Sequence, residues 1–443
     1  MNVLDILKER GFIEKETHGI ELNEFIKAGD ATCYIGFDPT APSLHVGNLL
    51  PIMSLAHMQR HNHRVIALIG GGTGLVGDPS GKTEMRKLLS LQIIEDNAIG
   101  IKKQLSNFID FNNKKTLLLN NTEWLSKLEY IPFLRDIGRN FSVNRMLKAE
   151  SYKIRLDSEE GLSFIEFNYM LLQAYDFLKL YDDHGCRLQM GGNDQWGNIV
   201  AGIELIRRMR KETVFGITFP LITTSNGTKM GKTAKGAVWL DPNKTLPYNY
   251  YQFWINTDDR DVGRFISLFT FLPMDEIREI EKLKGSDLNS AKAILAFEAT
   301  QLAHGREEAI KAYYSAAGNF GARLIPKEML PSSTIPRKGS GSDNTDISLS
   351  IDHKLGVGFE AEVMPHSHVD IDQLKAGIPA FKIFYDVGLT GSGGASRRLI
   401  EQGGAYLNGK RIESFDTLIT DSDINNEEIL LRAGKKRFHK IKV

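Results

Sequence analysis

The sequence predicts an α/β protein organised on a doubly wound parallel sheet, followed by an α-helical domain and a small α+β module. Three observations carry this prediction. Residues 32 to 37 (TCYIGF) and 64 to 71 (RVIALIGG) are continuous apolar runs that end in glycine, the pattern of strands buried on both faces. Between them, Leu49 to Arg60 has apolar residues at helical spacing, which gives a strand, loop, helix, strand unit. A third strand, Cys186 to Met190, runs into Gly191-Gly192 and feeds a helix from about Asp194 to Met209. Further helices are expected at 92 to 110 and 164 to 181.

Beyond residue 244 the strand signals fade, and stretches such as SAKAILAFEATQLAHG have helical spacing. Residues 328 to 348 are rich in Pro, Ser, Gly and Asp with few large apolar groups, the composition of a flexible linker. After 370 a helix pair at about 380 to 402, a turn through Gly403-Gly404 and short strands close on a basic end. The expected organisation is therefore 1–225 for the sheet-bearing domain, with a helical insertion at about 120–160. A lysine-bearing loop and helical domain follow at 226–325, then a linker at 326–369 and the small module at 370–443. A chain of 443 residues has room for these parts.

Composition excludes several classes of function. Lys+Arg and Asp+Glu each number 55, so no uniform positive charge draws the chain to nucleic acid, and any such partner must be met by a local patch. Only Cys33 and Cys186 occur, which excludes a disulfide framework and a four-cysteine zinc site and suits a reducing cytoplasm. The N-terminus MNVLDILKERGFIEKETHG has no continuous apolar segment, so neither a signal peptide nor a spanning helix is expected, and the location expected is cytoplasmic.

Two motifs mislead. GTGLVG, residues 72 to 77, is a literal dinucleotide fingerprint after a strand, but Asp78, Pro79 and Gly81 follow at once and disfavour a helix there, so a tight backbone turn is expected. The same stretch nearly spells a phosphate-binding loop through Gly81-Lys82-Thr83, with valine where its first glycine belongs. Asp78 remains as a carboxylate at the C-terminal edge of a strand, where α/β sheets bind ligands. His57, His61 and His63 suggest a metal cluster, but no Cys or carboxylate stands near them, and they read as a solvated helix end and turn. No metal held by the protein alone is expected.

Three other pieces point to phosphate chemistry and a small-molecule pocket. In YIGFDPTAPSLHVGNLL, residues 34 to 50, a strand ends at Gly36, a loop carries Asp38 and Thr40, and His45 and Asn48 bracket Gly47 at a helix start. Unpaired N–H groups there make an anion cradle to which His45 and Asn48 can donate. NGTKMGKT, residues 226 to 233, puts Lys229 and Lys232 in a Gly-rich loop that can close over a polyphosphate. On the 164 to 181 helix, Tyr169, Gln173 and Asp176 fall on one polar stripe among Phe, Met and Leu, either facing solvent or forming a pocket wall.

Taken in order, GFDPTAPSLHVGN, GGTGLVGDPSGK, FNYMLLQAYDF, QMGGNDQWGN and KMGKT strongly resemble the bacterial tyrosyl-tRNA synthetases, through residue 316, and the C-terminal module resembles their S4-type RNA-binding domain. The resemblance implies a Rossmann-like catalytic domain, an α-helical anticodon-binding domain and an S4-like domain. It also implies a class I ligase that joins ATP, with Mg2+, and L-tyrosine into tyrosyl-adenylate, then charges tRNA(Tyr), as a homodimer meeting through the insertion near 125 to 160. His45 and Asn48 would belong to the HIGH signature and Lys229 and Lys232 to the KMSKS signature. With Thr40, and with Lys82 and Arg86 on pyrophosphate, they would form the catalytic set. Gly36, Asp38, Gly47, Gly192 and Asp194 would contact ATP, together with Lys232. Asp78, Tyr169 and Gln173 would hold the amino group of tyrosine, Tyr34 and Asp176 its phenolic hydroxyl, and Gln195 its carboxylate. RNA contacts would fall to Arg397, Arg398, Lys410 and the tail, Lys435, Lys436 and Arg437 among them. The alternatives are a tryptophanyl-type synthetase, whose indole pocket has no use for the Tyr34 and Asp176 pair, and a non-catalytic synthetase-like RNA-binding or splicing protein, against which His45, Lys229 and Lys232 argue.

Overall fold

The structure is a computed structural model that describes residues 2–80, 89–159, 161–233, 236–280, 282–320, 325–337, 366–425, 427–434 and 437–443. It divides into two compact units, one of Met1–Thr245, Tyr250–Arg306 and Ile325–Ile335, the other of Leu246–Asn249, Glu307–Leu324 and Pro336–Val443.

The first unit is built on a six-stranded sheet. Its strands are β1 (Lys15–Glu16), β2 (Thr32–Phe37), β3 (Arg64–Ile69), β4 (Thr116–Asn120), β5 (Leu188–Gly192) and β6 (Phe215–Phe219), in the spatial order β1-β6-β5-β2-β3-β4. All neighbours are parallel except β1, which runs antiparallel to β6. The register sets Cys33 beside Val65 on one side and Leu188 on the other. Nearly every residue of β2 and β3 is buried, which is why both read as unbroken apolar runs. The chain winds outward from β2 through β3 to β4, then returns to β5 and continues to β6. Between β2 and β5 the winding reverses, and the loops leaving their C-terminal ends diverge into a crevice.

Two long helices cover the β5 side. The Phe164–His184 helix starts at Ser163, whose hydroxyl and the Glu166 side chain form a capping box, and ends at Gly185 in the left-handed conformation. It packs on the Trp196–Arg210 helix. The approach is close at Gly202, where an added Cβ would lie 2.9 Å from Cδ1 of Phe177. Short helices Thr122–Leu125, Tyr130–Asp136, Val143–Met146 and Glu150–Leu156 occupy the expected insertion.

The helices Val262–Phe269, Met274–Ile280 and Ser286–His304 also belong to this first unit. The buried Arg10 guanidinium donates to the carbonyls of Ser267, Thr270 and Leu272, capping the C-terminal end of the first of them. Residues 325–335, inside the expected linker, are pinned here. Leu330 and Ile335 are buried, and the Ser333 hydroxyl and Thr334 N–H donate to Glu298. Polar composition was misleading because these hydroxyls satisfy a carboxylate rather than water. Residues 338–365 of that linker lie outside the described residues, and its last part, His366–His368, is a strand of the C-terminal module, held by pairing with Lys440–Lys442.

Two other expectations change. GTGLVG forms most of a short helix, Gly71–Val76, rather than a tight turn, because tertiary hydrogen bonds hold it: Asn121 Oδ1 accepts from Gly72 N–H at 2.7 Å. His57 and His63 are buried rather than solvated. His57 packs edge-on against Phe12 and Phe271, and burial pushes its pKa down to about 3, with Arg10 next in effect. His63 Nδ1 accepts from Ala31 N–H.

In the second unit, residues 366–443 form an α+β module. Strands β9 (His366–His368), β11 (Ala405–Leu407), β12 (Lys410–Arg411), β14 (Glu428–Ala433) and β15 (Arg437–Lys442) make a sheet in the order β12-β11-β14-β15-β9, while β10 (Ile378–Pro379) pairs with β13 (Leu418–Ile419). Alternate residues of β14 are buried, the two-residue period of a sheet with one face on the core. Leu374, Phe384, Ile400 and Ile441 fill that core.

Candidate active site

The crevice at the C-terminal ends of β2, β3 and β5 collects most of the residues singled out from the sequence. At its floor stands Tyr34 on β2, 1% exposed, whose hydroxyl is buried with no hydrogen-bond partner among the described residues. Asp176, 2% exposed, comes in from the long helix and acts electrostatically on that hydroxyl. Asn121 Nδ2 donates to Asp176 Oδ2 at 2.9 Å, and Trp124 Nε1 donates to Oδ1 at 2.7 Å. Burial pushes the Asp176 pKa up to about 7 against the downward pull of those two donors, and Asp38 adds to the rise. Burial, and after it Asp176, holds the Tyr34 hydroxyl well above its ordinary value, so it stays a neutral donor and acceptor.

Two turns up the helix the groups become acceptors. Tyr169 donates its hydroxyl proton to Asp38 Oδ2 at 2.8 Å, which turns the oxygen's lone pairs toward any further ligand. Thr73 donates to the other oxygen of Asp38 at 2.9 Å. Asp38, expected on ATP alone, is therefore engaged by both Tyr169 and Thr73. Asp78 is buried and accepts from Ser80 N–H and, at 2.7 Å, from Gln195 Nε2. Gln173 Oε1 and Gln195 Oε1 both accept from Asn198 Nδ2, at 3.0 and 3.1 Å. The polar stripe on the helix is thus turned inward, with Tyr169 and Asp176 buried and Gln173 partly so, and is not a solvated face.

At the other end lies the His45–Asn48 turn. Its backbone N–H groups are not unpaired as expected: Val46 N–H donates to the Val238 carbonyl and Asn48 N–H to that of His45, because the turn is closed on itself and docked on a remote segment. Gly47 N–H donates to His45 Nδ1 at 3.0 Å, so the ring proton is on Nε2, in position to donate outward. Asn48 Oδ1 accepts from His45 N–H at 3.0 Å, which engages its carbonyl and presents its NH2. Gly36 and Thr40 are exposed beside this turn in the chain, and Asp194 is exposed at the start of the Trp196–Arg210 helix, its carboxylate folded over Gly192. The lysine loop docks on the same turn although it is far away in the chain. Val46 N–H donates to Val238, Leu240 N–H to Leu44, and the rings of His45 and Trp239 lie 6.0 Å apart. Gly231 has a φ of +83°, and a Cβ there would come within 2.9 Å of Gly47 N. Met230 is buried, while Lys229 is exposed. Strands β7 (Lys232–Thr233) and β8 (Gly236–Ala237) pair antiparallel in what had read as an unpatterned loop. Lys82 and Arg86 lie outside the described residues, as does the side chain of Lys232.

Thr73, Asn121, Trp124 and Asn198 escaped the sequence reading. Asn121 and Trp124 follow β4, whose run TLLLN is short and only half-buried; a strand assignment there would have pointed to its C-terminal edge. Asn198 lies three residues after Gln195 within a motif already singled out, one helical turn on.

In the C-terminal module, Arg398, Lys410 and Arg437 are exposed. The guanidinium of Arg397 lies over Phe381 at 4.2 Å and Phe415 at 5.4 Å, so it covers apolar surface as well as carrying charge. Lys435 and Lys436 lie outside the described residues. Lys440 in the same tail is buried and paired with Glu428 at 2.7 Å, which removes it from the phosphate contacts expected there.

A doubly wound parallel sheet, with a histidine-bearing turn, a lysine-bearing loop docked on it and buried polar side chains about the switch point, defines the fold of a class I aminoacyl-tRNA synthetase. Residues 27–320 match the family model for tRNA synthetases class I (W and Y), and the chain belongs to that family. Over its full length it is 62% identical to the tyrosine--tRNA ligase of Desulfosudis oleivorans, 99% of which it covers, and 48% identical to that of Caldanaerobacter subterraneus. It resembles the crystal structure of a C-terminally truncated mitochondrial tyrosyl-tRNA synthetase from Aspergillus nidulans with a TM-score of 0.65 at 32% identity, over 72% of this chain and 94% of that one.

Proposed function

We propose that the chain activates L-tyrosine with ATP to tyrosyl-adenylate and transfers the tyrosyl group to the 3′ end of tRNA(Tyr). The observation that carries this reading is the pair at the pocket floor. A buried hydroxyl without a partner among the described residues, Tyr34, stands near a buried carboxylate, Asp176, that is held by two donors and keeps further lone pairs. A phenolic hydroxyl completes that arrangement by accepting from Tyr34 and donating to Asp176. Phenylalanine leaves both unpaired, and an indole supplies no hydroxyl.

The rest of the crevice fits an amino acid held by both its charges. Tyr169, Asp78 and Gln173 offer lone pairs to an ammonium group, and Gln195 stands beside them for the carboxylate. The substrate carboxylate oxygen attacks the α-phosphorus of ATP, supplied as its magnesium complex. The bond to the β-phosphate breaks and pyrophosphate leaves. No protein nucleophile is needed, so rate comes from positioning and from donors aimed at the charge that builds on phosphate oxygens. His45 Nε2–H, the Asn48 amide, Lys229 and Lys232 take that role, with Lys82 and Arg86 on the departing pyrophosphate. Gly36, Gly47, Gly192 and Asp194 frame the nucleotide, with Asp194 on its ribose.

The domain organisation proposed is catalytic (1–225), helical and anticodon-binding (226–325), linker and S4-like. Arg398, Lys410 and Arg437 are the RNA contacts that exposure favours. Exposed Tyr130, Ile131, Val143 and Phe164, each at least 56% accessible, support pairing of two copies through the insertion. Two free buried cysteines fit a reducing cytoplasm.

Amino-acid-dependent ATP–pyrophosphate exchange across the natural amino acids tests this reading. Exchange with tyrosine is expected. Exchange with tryptophan instead refutes the specificity, and RNA binding without any exchange refutes the enzyme.

A further inference from the structure

Asn198 stands next to two of the polar side chains of the crevice, Gln173 and Gln195. It sits in the first turn of the Trp196–Arg210 helix, 2% exposed, behind the side chains that face the amino acid. Its amide nitrogen has two hydrogens, and two glutamine carbonyls accept them: Gln173 Oε1 at 3.0 Å and Gln195 Oε1 at 3.1 Å. Ser80 Oγ, at 3.5 Å, is the third neighbour. Gln195 then passes its own Nε2 to Asp78 Oδ2 at 2.7 Å. One buried amide thus joins the long helix, the turn after β5 and the loop after β3.

The terminal torsion of a glutamine is broad and nearly two-fold, so an unrestrained amide presents oxygen or nitrogen to a ligand with little preference. The two faces are opposite in electrostatic sense. If Gln195 turned over, it would set a carbonyl against the Asp78 carboxylate. If Gln173 did so, it would exchange the oxygen for the NH2 in the place where an ammonium must be accepted.

We propose that Asn198 is a positioning residue that fixes the amide orientation of Gln173 and Gln195, and through Gln195 the Asp78 carboxylate, so that the α-ammonium and α-carboxylate of tyrosine meet an electrostatic pattern set before binding. The inference rests on the reading of Gln173, Gln195 and Asp78 as the groups that hold those two charges.

Asn198→Asp is the sharpest perturbation, since it keeps the shape and replaces both donors with acceptors. Both glutamines must then turn their NH2 groups toward it. In pyrophosphate exchange the KM for tyrosine is expected to rise about 10- to 100-fold, one or two hydrogen bonds' worth, while the KM for ATP stays within about twofold. As inhibitors, tyramine, which lacks the carboxylate, and 3-(4-hydroxyphenyl)propionate, which lacks the ammonium, should each lose less affinity than tyrosine. Asn198→Ala, measured alone and in a Gln195→Ala background, gives a second test if the aspartate variant does not fold. Its effect on the KM for tyrosine should shrink in that background to the part carried through Gln173. Equal losses for tyrosine and both analogues, an equal rise in the KM for ATP, or full additivity with Gln195→Ala overturns the proposal. Gln173→Ala and Gln195→Ala separate the two levels. If neither raises the KM for tyrosine, the site reading has failed; if both do and Asn198 variants behave as wild type, only the positioning role has.

Discussion

Asp176 should make tyrosine binding titrate near neutrality, well above where a carboxylate ordinarily ionises. Its folded pKa of about 7 stands against 3.8 for an ordinary aspartate, and burial is the main cause. Because the folded pKa is the higher, the native protein keeps a proton that the unfolded chain has lost between about pH 4 and 7. Stability therefore falls as pH rises through that window and levels off above it. Three units at about 1.4 kcal/mol each make the total roughly 4 kcal/mol. A phenolic hydroxyl donates more strongly to the ionised carboxylate than to the protonated acid, and at pH 6 roughly a tenth of the unliganded enzyme carries the ionised form. The KM for tyrosine should fall, by up to about tenfold, between pH 6 and pH 8, with the KM for ATP flat. The Tyr34 hydroxyl does not contribute, since burial keeps it protonated throughout. Asp176→Asn should abolish this pH dependence, and denaturant unfolding should show its stability relative to wild type rising from pH 4 to pH 7. A KM for tyrosine that is level from pH 6 to 8 in the wild-type enzyme would refute the reasoning, as would parallel stability curves.

Other perturbations probe the frame around the site. Arg155 and Glu166 form a buried ion pair at 3.2 Å that ties the Glu150–Leu156 helix to the start of the long helix. Arg155→Met strands Glu166 and should cost about 3–5 kcal/mol in urea unfolding, with much of the loss recovered by adding Glu166→Gln. Gly202→Ala drives a methyl into Phe177, and overpacking should cost about 1–3 kcal/mol. Because Phe177 lies 5.4 Å from the Tyr34 ring, the KM for tyrosine should rise while that for ATP does not. Gly231→Ala pushes the lysine loop off Gly47; stopped-flow measurement of adenylate formation should show a rate loss of about tenfold or more, with tyrosine affinity unchanged.

Strands β2, β3 and β5 were legible because both their faces are buried, so their sequences are apolar without interruption. β4 was not, since its side chains are only half covered, nor was β1, which has two residues and depends on β6 for its existence. The Gly71–Val76 helix contradicts local propensity, with three glycines in six residues, and stands because Asn121 and Asp38 bind its first turn from outside. His57 and His63 looked like surface groups because charge and polarity in a sequence do not reveal what packs over them.

Sequence alone determined the kinds of groups available and their order: two acids, two tyrosines and two glutamines, and a histidine turn and lysines. Residue type and helical spacing are local properties, and they survive without coordinates. Only the tertiary structure decided that the lysine loop rests on Gly47, that Asp38 braces Tyr169, that Asn121 and Trp124 hold Asp176, and that Asn198 orders two glutamines. Each of these is a contact of about 3 Å or a loss of water between segments remote in the chain. Hydrogen bonds and desolvation depend on that distance and that exclusion, and neither is written in the order of residues.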